Sequence, residues 1–396
     1  MSAVLIYDSS KNTGHHFEYI EAILKEVTRG IYRNTKYYFV LNNCMRSVID
    51  ENISNGNNYE IIFIDDYILE KWGRLNPLLR SISEIYYIHT LCLKKKVKRI
   101  IFLMIDTYQY ALGINKSLFY DISIEGILFK PYTRYDIDKT GLLRYVKSML
   151  FRFYKWLGVE ILMNNRSKKR IWILNDRKSS HTFNSDFQCN SFHYLPDPVR
   201  NFGKVKKYDL LEAYGISKDN KILIVFGSIS PFKNIENILK ALSIINTLSI
   251  TLLIIGSWAS HKYKKYINSL IDTYLLERTN LQIIVEDRYF EDEEVDFLIS
   301  KSHCVLIPYI NFYFSSGVLG RSSSLGKPVI ASKIGLCKEL VESYSLGLTI
   351  DPHSPEEIAD GIVKVLLGES LSSEEGMQRY VNERKYTHFA GTLLKL

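Results

Sequence analysis

Apolar residues in this chain gather into short runs rich in β-branched side chains, and longer stretches of helical period separate the runs. In the first half AVLIYD (3–8), YYFVLNN (37–43), EIIFIDD (60–66), RIIFLMID (99–106) and RIWILND (170–176) predict buried strands. A second series follows: KILIVFGS (221–228), ITLLIIGS (250–257), LQIIVED (281–287), HCVLIPY (303–309), KPVIAS (327–332) and LGLTID (346–351). Apolar strands alternating with helices predict parallel sheets covered on both faces. Each series suffices for one doubly wound domain. Between them HYLPDPVRNFGKVKK (193–207) has two prolines and a basic polar tract, the marks of a linker. The expected organisation is a first Rossmann-like domain over 1–197, a second over 198–375, and a charged, helix-prone tail over 376–396.

With 396 residues, 46% of them hydrophobic, the chain suits two globular domains. No run approaches the roughly 18 apolar residues that span a bilayer, and the first residues lack the pattern of a secretory leader. Five cysteines without a CxxC spacing read as reduced thiols, so a cytoplasmic protein is expected. The histidines form no metal-ligand cluster. Charge changes the picture more. Residues 1–196 hold 28 Lys and Arg against 19 Asp and Glu, whereas the remainder is nearly balanced. That excess suggests an anionic surface or ligand. No nucleic-acid motif accompanies it, and no nucleic-acid partner is expected. GLLRYVKSMLFRFYKWLGVEILMNNRSKKR (141–170) carries Leu143, Val146, Leu150, Phe153, Leu157 and Ile161 at helical spacing, with Arg144, Lys147, Arg152 and Lys155 elsewhere. Two readings fit: a crossover helix whose apolar stripe is core, or a helix resting on anionic lipid headgroups. KKKVKR (94–99) adds a smaller basic cluster.

Candidate chemistry lies in the loops that follow the strands. In KILIVFGSISPFKNIENILKAL (221–242), Gly227 ends the strand and Lys233 sits at the loop-to-helix corner, placed for a phosphate or for solvent. In SSGVLGRSSSLGKPVIAS (315–332), Ser315, Ser316 and Gly317 open a helix of small residues, which is either an anion site or a plain N-cap. EDRYFEDEEVDFLIS (286–300) offers Arg288 and Tyr289 for contacts to a base. In the first half Gly14, His15 and His16 occupy the turn after the first strand. Asp106 closes RIIFLMID and Asn175 and Asp176 close RIWILND, each a site residue or a helix cap.

The order GSISPFKNIENILKAL, LLIIGS, VLIPY, SSGVLGRSSSLGKPVIAS and CKELVESYSLGLTIDPHSPEEIADGI resembles the donor domain of GT-B glycosyltransferases, of the retaining family 4 type (glycosyl transferases group 1). The resemblance covers about residues 221–366; over 1–200 it is architectural. It implies two Rossmann-like domains facing across a cleft, with a C-terminal helix returning to the first. It also implies transfer of a hexosyl or related sugar with retention, without metal or other cofactor. The donor would be a nucleotide-diphosphate sugar and the acceptor a glycan or lipid-linked molecule. The setting would be bacterial-type surface polysaccharide assembly, peripheral at the inner membrane face. On this resemblance Lys233 and the amides of Ser315, Ser316, Gly317 and Val318 contact the diphosphate, with Glu339 nearby. Arg288 and Tyr289 lie beside the base, and the loop of Gly14, His15 and His16 points at the transferred sugar. Two departures stand out. Ser228 replaces the usual arginine after Gly227. The usual paired glutamates fall on Tyr313 and Arg321, or on Phe314 and Ser322. Arg321 is expected to supply the charge that Ser228 lacks. The missing carboxylates keep open a degenerate partner subunit that binds without turnover, and an epimerase would use the same fold.

Overall fold

The computed structural model describes residues 2–11, 14–30, 34–47, 49, 57–137, 141–200, 208–275, 278–369 and 372–395. Two compact units result, one of Met1–Pro198 with Tyr386–Leu396 and one of Val199–Lys385.

Unit 1 runs β1 (Ser2–Asp8), α1 (Gly14–Thr28), β2 (Thr35–Asn42), β3 (Tyr59–Ile64), α2 (Asp66–Gly73), α3 (Pro77–Lys95), β4 (Arg99–Phe102), α4 (Gln109–Ile114), β5 (Ser123–Leu128), α5 (Leu142–Met163), β6 (Lys169–Leu174), α6 (Arg177–Asp186) and β7 (Phe192–Leu195). Its parallel sheet has the order β3-β2-β1-β4-β5-β6-β7. Successive side chains of β1 enter opposite cores, Leu5 and Tyr7 on one face and Val4 and Ile6 on the other. Two strands were not foreseen. β5 carries Glu125 and Gly126, which break an apolar run. Glu125 is buried because Arg99 donates to both its oxygens, at 2.8 and 2.7 Å. β7 overlaps the start of the stretch read as linker.

Unit 2 runs α7 (Leu210–Ala213), β8 (Lys221–Phe226), α8 (Ile235–Ile244), β9 (Ile250–Ile255), α9 (His261–Leu275), β10 (Leu281–Glu286), α10 (Asp292–Lys301), β11 (Cys304–Ile307), α11 (Gly317–Ser324), β12 (Val329–Ser332), α12 (Gly335–Tyr344), β13 (Gly347–Ile350), α13 (Pro355–Leu366) and α14 (Glu374–Glu383). The six strands match the expected runs and pair in parallel as β10-β9-β8-β11-β12-β13.

The tail expected over 376–396 divides at Lys385. α14 stays with unit 2, where Met377 and Tyr380 join the core around Leu319 and Leu336. Only α15 (Tyr386–Leu394) belongs to unit 1, with Phe389 4.8 Å from the Tyr19 ring and Arg99 donating to the carbonyls of Leu393 and Leu394. α5 departs from the core reading of its stripe: Leu143 is 84% exposed, Leu150 62% and Phe153 55%. No helix of the described residues is long and apolar enough to cross a membrane.

Candidate functional site

Each strand order reverses once, between β8 and β11 in unit 2 and between β1 and β4 in unit 1. Open α/β sheets take ligands beyond the carboxyl ends of the strands flanking such a point. The loops singled out in the second half follow β8 and β11.

After β8, Gly227 adopts φ +100 and Gly256, at the end of β9, adopts φ +130. A Cβ on Gly256 would lie 2.0 Å from the Gly227 carbonyl oxygen, so the strand ends approach closely only because residue 256 has no side chain. The chain then turns through Pro231–Lys233 to Asn234, whose left-handed backbone (φ +63) is pinned by Nδ2 donating to the carbonyls of Pro308 (3.0 Å) and Pro352 (2.6 Å). This aims Lys233 inward. Its ammonium donates to the Phe226 carbonyl at 3.0 Å and to the Tyr309 hydroxyl at 2.7 Å. Lys233 is only 5% exposed, and burial pushes its pKa down to about 7. A Cβ at Gly227 would stand 3.8 Å from Nζ, and Gly227 and Ser228 are exposed. The bare backbone at 227 therefore leaves a solvent approach to the ammonium.

After β11, the Ser316 side chain lies near the Tyr309 hydroxyl. Ser316 is the N-cap of α11 and its hydroxyl oxygen accepts from the Val318 N–H at 3.3 Å. One buried phenol thus holds the Lys233 ammonium close to the positive end of a helix. The preceding loop is pressed onto α12. Leu336 N–H donates to the Tyr313 carbonyl at 3.0 Å, and a Cβ on Gly335 (φ +65) would lie 2.6 Å from Tyr313 Cα. Ser315, Gly317 and Val318 are half-buried at this turn, and Glu339 is half-buried one turn into α12. The structure therefore gathers Gly227, Ser228, Lys233 and the Ser316–Val318 turn around Tyr309. Sequence reasoning missed Tyr309, because a tyrosine ending an apolar strand carries no signal of its own.

Other expected residues are engaged elsewhere. Arg288 makes a two-pronged ion pair with Glu294 at 3.1 and 2.9 Å and lies 3.6 Å from the Phe290 ring. Tyr289 beside it is exposed. Arg321 is a correction: its Nε donates to Asp296 at 2.6 Å and its Nη1 lies 3.0 Å from Asp292, so its charge serves α10. Arg321→Ala is expected to cost about 1–3 kcal/mol in stability by depriving the buried Asp296 of its partner. Nucleoside-diphosphate affinity should stay unchanged. Chemical denaturation and titration calorimetry check the two halves.

In unit 1 a cavity of about 450 Å³ opens at the ends of β1 and β4, lined among others by Asp8, Ser9, Lys11, Arg80, Glu84 and Thr107. Buried Glu84 accepts from the hydroxyls of Tyr7 (2.7 Å), Ser9 (2.6 Å) and Tyr108 and from Arg80 Nε (2.7 Å). Asp8 Oδ2 lies 2.6 Å from His16 Nδ1, and its Oδ1 accepts from Ser10 N–H at 2.9 Å. His16 is buried and stacks on Phe129 at 5.9 Å. Gly14 and His15 open α1, but their side-chain surroundings lie outside the described residues. Asp106 neither lines the cavity nor caps α4. It accepts from the N–H groups of Phe129 and Lys130, both at 2.9 Å, and fixes the turn after β5. Burial raises its pKa against those two bonds. Asp176 is the α6 N-cap. Burial would raise its pKa, but Arg134, at 2.6 and 2.7 Å, and Ser179 hold it below the usual range. Among the described residues no His, Cys, Asp or Glu side chains are grouped to hold a metal ion.

The paired parallel sheets define a GT-B type fold. HepE from Anabaena, solved with UDP and glucose, superposes with a TM-score of 0.67 at 15% identity, covering 99% of this chain and 98% of that one. A glycosyltransferase from Rickettsia africae gives 0.68 at 13% over 99% and 96%. WaaG, a glycosyltransferase involved in lipopolysaccharide biosynthesis, gives 0.61 at 15% over 99% and 98%. Residues 207–384 match the family described as Glycosyl transferases group 1, so the second unit is a domain of that family. No curated protein sequence matches the chain.

Proposed function

We propose that this protein is a retaining glycosyltransferase whose unit 2 binds a nucleotide-diphosphate sugar and whose unit 1 cavity takes a glycan or lipid-linked acceptor. The observation that carries the reading is the buried Lys233 ammonium held by the Tyr309 hydroxyl, with the Ser316 N-cap of α11 near that phenol. A diphosphate entering over Gly227 and Ser228 would meet the ammonium and the α11 N-terminus together. Those groups oppose the charge that grows on the leaving phosphate as the glycosidic bond to it breaks. Retention by front-face attack asks for no protein nucleophile, and in this reading neither a metal nor another cofactor takes part. HepE was solved with UDP-glucose, which favours a UDP-hexose among donors, and the role of WaaG favours surface polysaccharide assembly at the inner membrane face.

One observation favours a second reading. Residues 309–326 contain no Asp or Glu, and on the resemblance the carboxylates that the family uses on the sugar and ribose have no counterpart there. Binding without turnover, as a partner subunit, would follow. Thermal-shift measurements with UDP, GDP, ADP, CMP and their sugars test the pocket before any acceptor is known. Stabilisation by one nucleoside diphosphate, followed by its release from the sugar when membrane lipid is added, is the expected result. Stabilisation without release selects the second reading, and no stabilisation by any of them sinks both.

A further inference from the structure

Helix α5 is anchored by one end. Gly113 of α4 lets it approach, since a Cβ there would lie 2.2 Å from Ile161 Cγ2, and Gly158, Val159 and Leu162 are buried. From Leu142 to Tyr154, by contrast, every residue except Ser148 and Arg152 is exposed. At 3.6 residues per turn, Leu142, Leu143, Val146, Met149, Leu150 and Phe153 fill one continuous arc. That arc points away from the side carrying Val159 and Leu162. The stripe that would ordinarily be core is therefore turned outward, and it extends for about 20 Å. Lys147 and Arg152 flank that arc, Arg144 and Lys155 lie on the far side of the helix, and no Asp or Glu occurs between residues 139 and 159.

We propose that the projecting first half of α5 is an anchor that lies in the surface of a bilayer containing anionic lipid. An apolar arc edged by aromatic rings suits the boundary between headgroups and acyl chains, where Tyr and Trp seat with one polar end. Lys147 and Arg152 at its edges reach phosphates on long apolar stems. A second copy of this chain fits the surface less well. Arc-to-arc contact would bring the flanking Lys147 and Arg152 of each copy toward those of the other, with no carboxylate on the helix to meet them before Glu160. The anchor would hold the enzyme where a lipid-linked acceptor resides, but the inference rests on α5 and not on the donor reading.

Co-sedimentation of the full chain with phosphatidylcholine vesicles, with and without phosphatidylglycerol, is the test. The expected result is binding to the anionic vesicles that weakens with added salt. Leu143→Asp with Phe153→Asp should abolish it, and Lys147→Glu should weaken it by about tenfold. All three side chains are exposed, so the melting temperature and nucleoside-diphosphate affinity should match those of the parent. The proposal is overturned if the parent ignores both vesicle types. It is equally overturned if the Leu143 and Phe153 variant binds as well as the parent, or if light scattering finds that this variant only dissolves an oligomer. Vesicle binding without any nucleotide binding would sink the donor reading and leave the anchor standing.

Discussion

Lys233→Met is expected to make the free protein more stable and to abolish its hold on nucleoside diphosphates. Burial lowers this lysine from the usual 10.5 to about 7. Between those values the unfolded chain carries a proton that the folded chain lacks, so stability rises with pH across that window. Methionine removes the dependence, and its gain, on the order of a few kcal/mol, is largest at and below pH 7. A bound diphosphate reverses the preference, because its charge favours the ammonium. Ligand binding then takes up a proton, and affinity falls as pH rises from about 7. Calorimetry in buffers of different ionisation enthalpy reads that uptake directly. Turnover in Lys233→Met should drop by about 10²–10³-fold, the usual loss when one stabiliser of developing charge is removed. A variant that binds nucleotide normally would place the diphosphate elsewhere.

Glu84→Leu should be the most damaging single change in unit 1. Three hydroxyls and Arg80 converge on this carboxylate inside the domain, and leucine would leave them all without their acceptor. Breaking a buried charge pair from one side costs about 3–5 kcal/mol. Ser9 and Tyr108 line the cavity, so the loss would reach the acceptor site first. Nucleotide binding by unit 2 should persist. Hydrogen exchange should find the new opening confined to the elements around β1, α3 and α4, whereas loss of protection throughout unit 2 would contradict the assignment.

Much of unit 2 could be read from its residues, because its strands are mainly apolar runs and the candidate loops begin where a run stops. Lys233 and Ser316 were visible on that basis. Their neighbour Tyr309 was not, since its role depends on two loops meeting. Unit 1 hid more. β5 is legible only to a reader who knows that Arg99 neutralises Glu125, 26 positions away. Asp8 and Glu84 are ordinary residues until the fold brings His16 to one and Tyr7, Ser9 and Tyr108 to the other. α5 is the sharpest case. Helical period defines a stripe but says nothing about which side of the helix meets the domain. At the anchored end Gly158 lets Gln109 and Tyr110 approach the opposite face, and Gly113 admits only the last residue of the stripe, Ile161.

The placement of α15 sets an order of assembly. Most of unit 1 is translated before unit 2, yet the helix that carries Phe389 against Tyr19 and receives Arg99 is made after it. Domains generally fold as they emerge from the ribosome. Here the leading domain must wait through the synthesis of its entire neighbour with one apolar flank uncovered, a prolonged demand on nascent-chain chaperones that the trailing domain escapes.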